Sequence, residues 1–147
     1  MKLLGLTVII GFCSLSAGGQ TATELTAKYG SAHDSYEVRP GVFMTVKFAP
    51  DGRACQQSIE KRHVRASGTI DLDSTFMSSD VTKPIIDELA PRNQRGNESK
   101  FSGETLIIGG GGTTSYEYDN VLITYYGNAG DRGVAAVVIQ WKNRGCP

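Results

Sequence analysis

Apolar and polar residues alternate most regularly from Val42 to Phe48, where Val42, Met44, Val46 and Phe48 interleave with Phe43, Thr45 and Lys47. A period of two is that of a β-strand with one apolar face. Ala49-Pro50-Asp51-Gly52 follows as a turn, because proline presets one backbone angle and glycine permits a positive one. The chain then returns as a second strand from Arg53 to about Glu60, with Cys55 and Ile59 on the buried side of the hairpin. Ahead of it, Ser35 to Val38 reads as a short extended piece closed by Pro40-Gly41, and the proline keeps Arg39 extended. Further strand patterns run over Thr69 to Leu72, Thr105 to Ile108, Ser115 to Tyr118, Asn120 to Tyr126 and Val134 to Trp141. Gly109 to Gly112, Asp119-Asn120 and Gly127 to Gly133 separate the later ones.

Helical spacing occurs twice. Thr23 to Tyr29 predicts a short helix with Thr23 as N-cap, Leu25 and Tyr29 on one face and Gly30 as its stop. Ser78, Ser79 and Asp80 are capping residues ahead of Val81, Ile85, Ile86 and Leu89, which share one helical face. Pro84 is tolerated only in a first turn, so the helix is expected to start close to it, and Pro91 ends it. Arg92 to Lys100 is polar and contains Gly96, which predicts an exposed loop. Long connecting helices are missing from the C-terminal third, so neighbouring strands should pair antiparallel. The predicted fold class is α+β: a curved antiparallel sheet of five or six strands with two short helices on one face and one disulfide.

One apolar run fits neither period. Leu3 to Ala17 follows Lys2 and ends in the small residues Ala17, Gly18 and Gly19, the layout of a secretory signal peptide. A run of about fifteen residues is shorter than the roughly twenty that cross a bilayer as a helix, so no stable membrane anchor is expected after cleavage. Residues 1–19 are read as the leader and 20–147 as a single α+β domain, with cleavage after Ala17 as the alternative. Phe12 ahead of Cys13 argues against lipidation there, because that position calls for a small residue. Removing 19 of the 147 residues leaves 128, enough for one domain with a real core.

Export changes how the cysteines are read. Cys13 leaves with the leader, and the remaining pair, Cys55 and Cys146, is expected to form one disulfide in an oxidising compartment, secreted or periplasmic. Closing so long a loop stabilises by about 4 to 5 kcal/mol in the chain-entropy account. Lys2 is the only one of the 15 basic residues in the leader, so 14 basic groups face 15 acidic ones in the mature chain. That balance carries no nucleic-acid footprint.

Several local patterns suggest chemistry and then fail a further requirement. Gly109 to Gly112 follows an apolar strand as a phosphate loop would, but neither a Gly-Lys-Ser/Thr nor a helix comes after it. Asp71 and Asp73 lie on one face of a strand and could pair on a sugar or a metal ion, yet a calcium loop begun at Asp71 would need glycine and glutamate where Phe76 and Thr82 stand. His33 and His63 have no metal-binding spacing, and no Gly-x-Ser-x-Gly elbow exists. The basic cluster Lys61, Arg62, His63 and Arg65 has no interleaved aromatics. Tyr116, Tyr118, Tyr125, Tyr126 and Trp141 are the more suggestive set: on one sheet some must point away from the core, where they either anchor a partner or pair across strands and simply stabilise the sheet, and the second reading is the preferred one. Asn97-Glu98-Ser99 matches a glycosylation sequon.

Lys28-Tyr29-Gly30, Val38-Arg39-Pro40-Gly41, Asp51-Gly52 ahead of Cys55, Ile86-Asp87-Glu88-Leu89-Ala90-Pro91, Tyr125-Tyr126-Gly127 and Trp141 before Cys146 resemble strings of small exported bacterial proteins of unassigned function. The resemblance implies export and a shared fold, and it assigns no site residue. The expected function is that of a non-catalytic exported module binding an extracellular or periplasmic macromolecule or a small ligand through its sheet face or the loops around Gly109 and Gly127. An inhibitor of an extracellular hydrolase would be one instance. The alternative is an exported hydrolase, acting on glycans, that uses carboxylates such as Asp71 and Asp73. Beyond those carboxylates no catalytic residue is named, and metal ligands and cofactors are assigned on neither reading.

Overall fold

The computed structural model describes residues 19–30, 35–62, 76–99, 103–107, 111–127 and 133–147, with backbone alone for 104–107. The expected leader up to residue 18 and the expected strand Thr69 to Leu72 lie outside the described residues. The elements in chain order are α1 (Ala22–Tyr29), β1 (Tyr36–Arg39), β2 (Val42–Phe48), β3 (Ala54–Lys61), α2 (Ser79–Leu89), α3 (Arg92–Arg95), β4 (Gly103–Ile107), β5 (Gly111–Glu117), β6 (Val121–Gly127) and β7 (Val134–Trp141).

The strands form one curved antiparallel sheet in the order β1-β2-β3-β7-β6-β5-β4. The short piece before Pro40 joins it as edge strand β1, which brings the described strands to seven. β7, the most continuously apolar strand, lies between β3 and β6, so the end of the chain occupies the middle of the sheet. Register then stacks one row of inward side chains across the strands, Tyr36, Met44, Ile59, Val137 and Tyr125. The next row is Val46, Gln57, Ile139, Ile123 and Tyr116. Leu25 of α1 and Ile85, Ile86 and Leu89 of α2 pack onto these rows and complete the core. Cys55, buried at the start of β3, bonds Cys146, with 5.5 Å between their Cα atoms and a sequence separation of 91.

Local chemistry moves several expected boundaries. Thr21, rather than Thr23, caps α1, because Glu24 lies three residues on and the two close a capping box: the Glu24 N–H donates to Thr21 Oγ1 at 3.2 Å, and the Thr21 N–H donates to the Glu24 carboxylate at 2.6 Å. α2 starts at Ser79, a full turn earlier than Pro84 suggested, so the proline stands inside the helix. The helix buries Thr82 with Ile85, Ile86 and Leu89, while Val81, expected on that face, is exposed. The expected loop after Pro91 is instead the helical turn α3, followed by an extended stretch in which the Ser99 N–H donates to Glu117 O at 2.7 Å. Gly111 and Gly112 belong to β5 and pair with Ile107 and Leu106, so half of the glycine run is strand rather than loop.

The start of β7 is fastened by a short bridge. Met77 and Val134 exchange both backbone hydrogen bonds, at 2.8 and 2.9 Å. Gly133, at φ +88°, leaves no space beside that bridge, because a Cβ there would stand 2.4 Å from Met77 O. Gly133→Ala combines a disfavoured backbone angle with a backbone clash and is expected to cost about 2 kcal/mol, read as a lowered urea midpoint. A loss below about 0.5 kcal/mol would mean that the Met77 bridge carries little of the stability.

Glu88 ties three elements together. Its carboxylate accepts from the Tyr29 hydroxyl of α1 and from Arg39 of β1 at 2.7 Å, and Lys28 Nζ lies 3.0 Å away. Burial raises the affinity of Glu88 for a proton, but the hydrogen bonds from Tyr29, Arg39 and Lys28 together outweigh it and bring the carboxyl down to about 2. A carboxyl depressed on folding contributes stability that is complete above its unfolded value and is lost as the pH falls through its folded one. Stability is therefore expected to decline between about pH 4.5 and pH 2, and Glu88→Gln should flatten that part of the curve in urea melts taken across the range.

Candidate functional site

The side chains that gather into a site sit where α2 stops covering the sheet. α2 packs on β7, and β5 and β6 extend beyond it. Thr114 pairs with Tyr125 and Tyr116 with Ile123, so strand alternation raises Thr114, Tyr116 and Tyr125 on the same face as the core residues Ile123 and Val137. They form the floor of a groove of about 520 Å³. Its wall is formed by α2 and α3, through Lys83, Asp87, Arg92 and Arg95. Tyr116 and Tyr125 meet edge to face, with ring centres 5.6 Å apart and planes at 83°. Burial pushes the Tyr125 hydroxyl above its ordinary range, and neighbouring Tyr116 adds to the effect, so it stays protonated and able to donate.

Arg95 holds the wall in place. As the last residue of α3 its side chain is only 8% exposed, and it donates through Nε to Ala90 O at 2.6 Å and through Nη2 to Asp87 Oδ1 at 2.7 Å. The guanidinium lies over the Tyr118 ring, 5.6 Å from its centre. Backbone contacts anchor the same turn, since the Asn120 N–H donates to Arg95 O at 2.9 Å and the Asn97 N–H to Asp119 Oδ2 at 2.8 Å. Gly96 permits this approach, with φ +80° and the Asp119 side chain where a Cβ would be. The β5–β6 turn at Asp119-Asn120 thus positions the wall that faces its own strands.

Asp87 is surrounded by cations. Lys83 Nζ lies at 2.9 Å, Arg95 Nη2 at 2.7 Å and Arg92 Nε at 3.9 Å. The hydrogen bond from Lys83, joined by that from Arg95, holds its carboxyl below the usual carboxylate range. Among the described residues lining the groove, three cations therefore face a single carboxylate near neutral pH. The chain matches no family model, no characterised protein sequence and no solved structure. The functional reading consequently rests on the groove's own geometry.

The structure separates the aromatic residues picked out by sequence. Tyr116 and Tyr125 come together in the groove, Tyr118 lies beneath Arg95, Trp141 is buried in the core, and Tyr126 is 43% exposed on the opposite face of the sheet. Asp71, Asp73, His33, His63, Arg65 and Gly109 lie outside the described residues. Lys61 borders a second cavity, of about 580 Å³, between β2 and the start of α2. Arg62 pairs with Glu60 and lies over the Phe43 ring. Gly127 ends β6 against the Gly133 carbonyl. Among the described residues no group of three or more His, Cys, Asp or Glu side chains gathers as metal ligands would. Asn97, the sequon residue, uses its side-chain amide to donate to Asp119 at 3.0 Å. Sequence reading missed Lys83, Asp87, Arg92 and Arg95. The four-residue spacing of Lys83 and Asp87 was a legible ion-pair signal, whereas burial of Arg95 had none.

Proposed function

We propose that this protein is an exported, non-catalytic binding module and that its ligand sits in the groove floored by Tyr116 and Tyr125. The observation that carries this reading is the pairing of two groove-facing tyrosines with a wall whose positions are locked by Arg95, a preorganised surface that loses little entropy on binding. The groove falls in the size range of small-ligand sites, about 300 to 1,000 Å³. Asp87 is held ionised and engaged by its cations, which suits a fixed acceptor better than a proton donor. Export is supported by the leader pattern and by the Cys55–Cys146 bridge, a bond at home in oxidising compartments.

The test is a nuclear magnetic resonance titration of the purified protein with a broad panel of extracellular saccharides, peptides and small acids. Ligand-induced shifts centred on Thr114, Tyr116 and Tyr125 and abolished by Tyr116→Ala are the expected result. Shifts centred on Tyr126 and the opposite sheet face would reject the groove. Steady turnover of any panel member by the same sample would reject the non-catalytic reading.

A further inference from the structure

Resting on the groove as the binding site, the side chains that line it point to one chemical class of ligand: we propose that it takes a carboxylated saccharide, a uronic-acid unit whose ring lies on the tyrosine floor and whose carboxylate meets Arg92 and Lys83. Charge gives the first reason. Lys83, Arg92 and Arg95 outnumber Asp87; Arg95 is spent on Asp87 and Ala90 O, while Lys83 bonds Asp87 at 2.9 Å but has a 65% exposed side chain whose ammonium carries further donors. Arg92 is the loosest partner of Asp87, at 3.9 Å, and its side chain is 75% exposed, so its guanidinium can turn to an incoming carboxylate with little to give up.

The remaining chemistry of the lining separates a sugar from an extended acidic peptide. Peptides held beside a sheet take their affinity from free backbone groups at a strand edge. Tyr116 and Tyr125 belong to strands β5 and β6, each paired on both sides, so the backbone beneath the groove is already satisfied. What the groove presents is ring surface and side-chain hydroxyls, from Ser79, Thr114, Tyr116 and Tyr125. A pyranose offers the complement to each: a face of C–H groups for a ring, hydroxyls for hydroxyls, and in a uronic acid a carboxylate for the cationic wall.

The experiment is an affinity and shift-mapping comparison on the purified protein with three probes: a galacturonic acid trimer, a neutral galactose trimer and a hexaglutamate peptide. The galacturonate trimer is expected to shift Thr114, Tyr116 and Tyr125 and to bind about tenfold more tightly than the neutral trimer, the usual scale of a charge-assisted hydrogen bond. Arg92→Gln should remove that margin by weakening the galacturonate trimer far more than the neutral one, and added salt should narrow it. Because Arg92 is a surface residue, its variant is expected to melt with the wild type, and Lys83→Gln provides a second test of the same wall. Equal binding of the two sugars would overturn the carboxylate assignment, and tighter binding of hexaglutamate at the same residues would overturn the saccharide. Failure of all three probes to move the groove residues would overturn the ligand class, whereas the groove itself falls only if the wider panel also leaves them unmoved.

Discussion

Replacing Cys55 and Cys146 together by alanine is expected to lower the unfolding free energy by about 2 to 5 kcal/mol, read as a drop in the urea midpoint with the native circular dichroism retained at low temperature. The bridge spans 91 residues, so its removal frees a very large loop in the unfolded chain. In the folded state the ends are also held together by backbone pairing, since β3 and β7 pair from Gln56–Gln140 to Glu60–Ala136. The effect should therefore fall mainly on the denatured ensemble, and the variant should keep the same groove shifts with ligand as the wild type. A loss under about 1 kcal/mol would show that the unfolded chain keeps its ends together without the bond. Alkylation followed by intact-mass measurement on the exported product checks the same bond in its own compartment. Two free thiols would remove the disulfide's support for export.

Arg95→Leu is the second large effect. The side chain is nearly buried and satisfies two acceptors, so leucine leaves Ala90 O without its side-chain donor and Asp87 without its closest cation. The expected cost is about 3 kcal/mol, at the lower end for breaking a buried pair because Asp87 keeps Lys83 and is partly exposed. Arg92→Leu provides the contrast. It is the same residue type on the same short helix with the same carboxylate as partner, yet its side chain is 75% exposed and the change should lie within about 0.5 kcal/mol. Melts of the two variants side by side check the pair. Near-equal losses would mean that Arg95 does not hold the wall, and the preorganised groove would lose its basis.

The features legible before folding were those written in short spacings. The Val42–Phe48 alternation with its proline-glycine turn marks β2 and β3, and Gly30 marks the end of α1, because strand period and helix stop depend on neighbours along the chain. The capping box at Thr21 and Glu24 was equally local and available to be read. Pro84 misdirected the start of α2, because a helix bound to a sheet by Ile85, Ile86 and Leu89 can keep a proline in its second turn that an isolated helix would reject. Gln57 lies in the alternating pattern between Cys55 and Ile59, yet nothing local says that it would be fully buried between Val46 and Ile139 with its amide unpartnered among the described residues.

By itself the sequence determined the α+β class, the β2–β3 hairpin, the antiparallel pairing of successive strands in the C-terminal third and, with Cys13 assigned to the expected leader, the cysteine pair, since each follows from periodicity, turn chemistry or count. Tertiary structure alone decided that β7 lies beside β3, and that placement sets the sheet order and brings the C-terminal tail to Cys55. It also decided which tyrosines face each other and which arginine is buried. Those outcomes depend on pairs such as Asp87 with Arg95, Gly96 with Asp119 and Tyr116 with Tyr125, which only packing brings into contact, and no spacing along a chain encodes a distance across it.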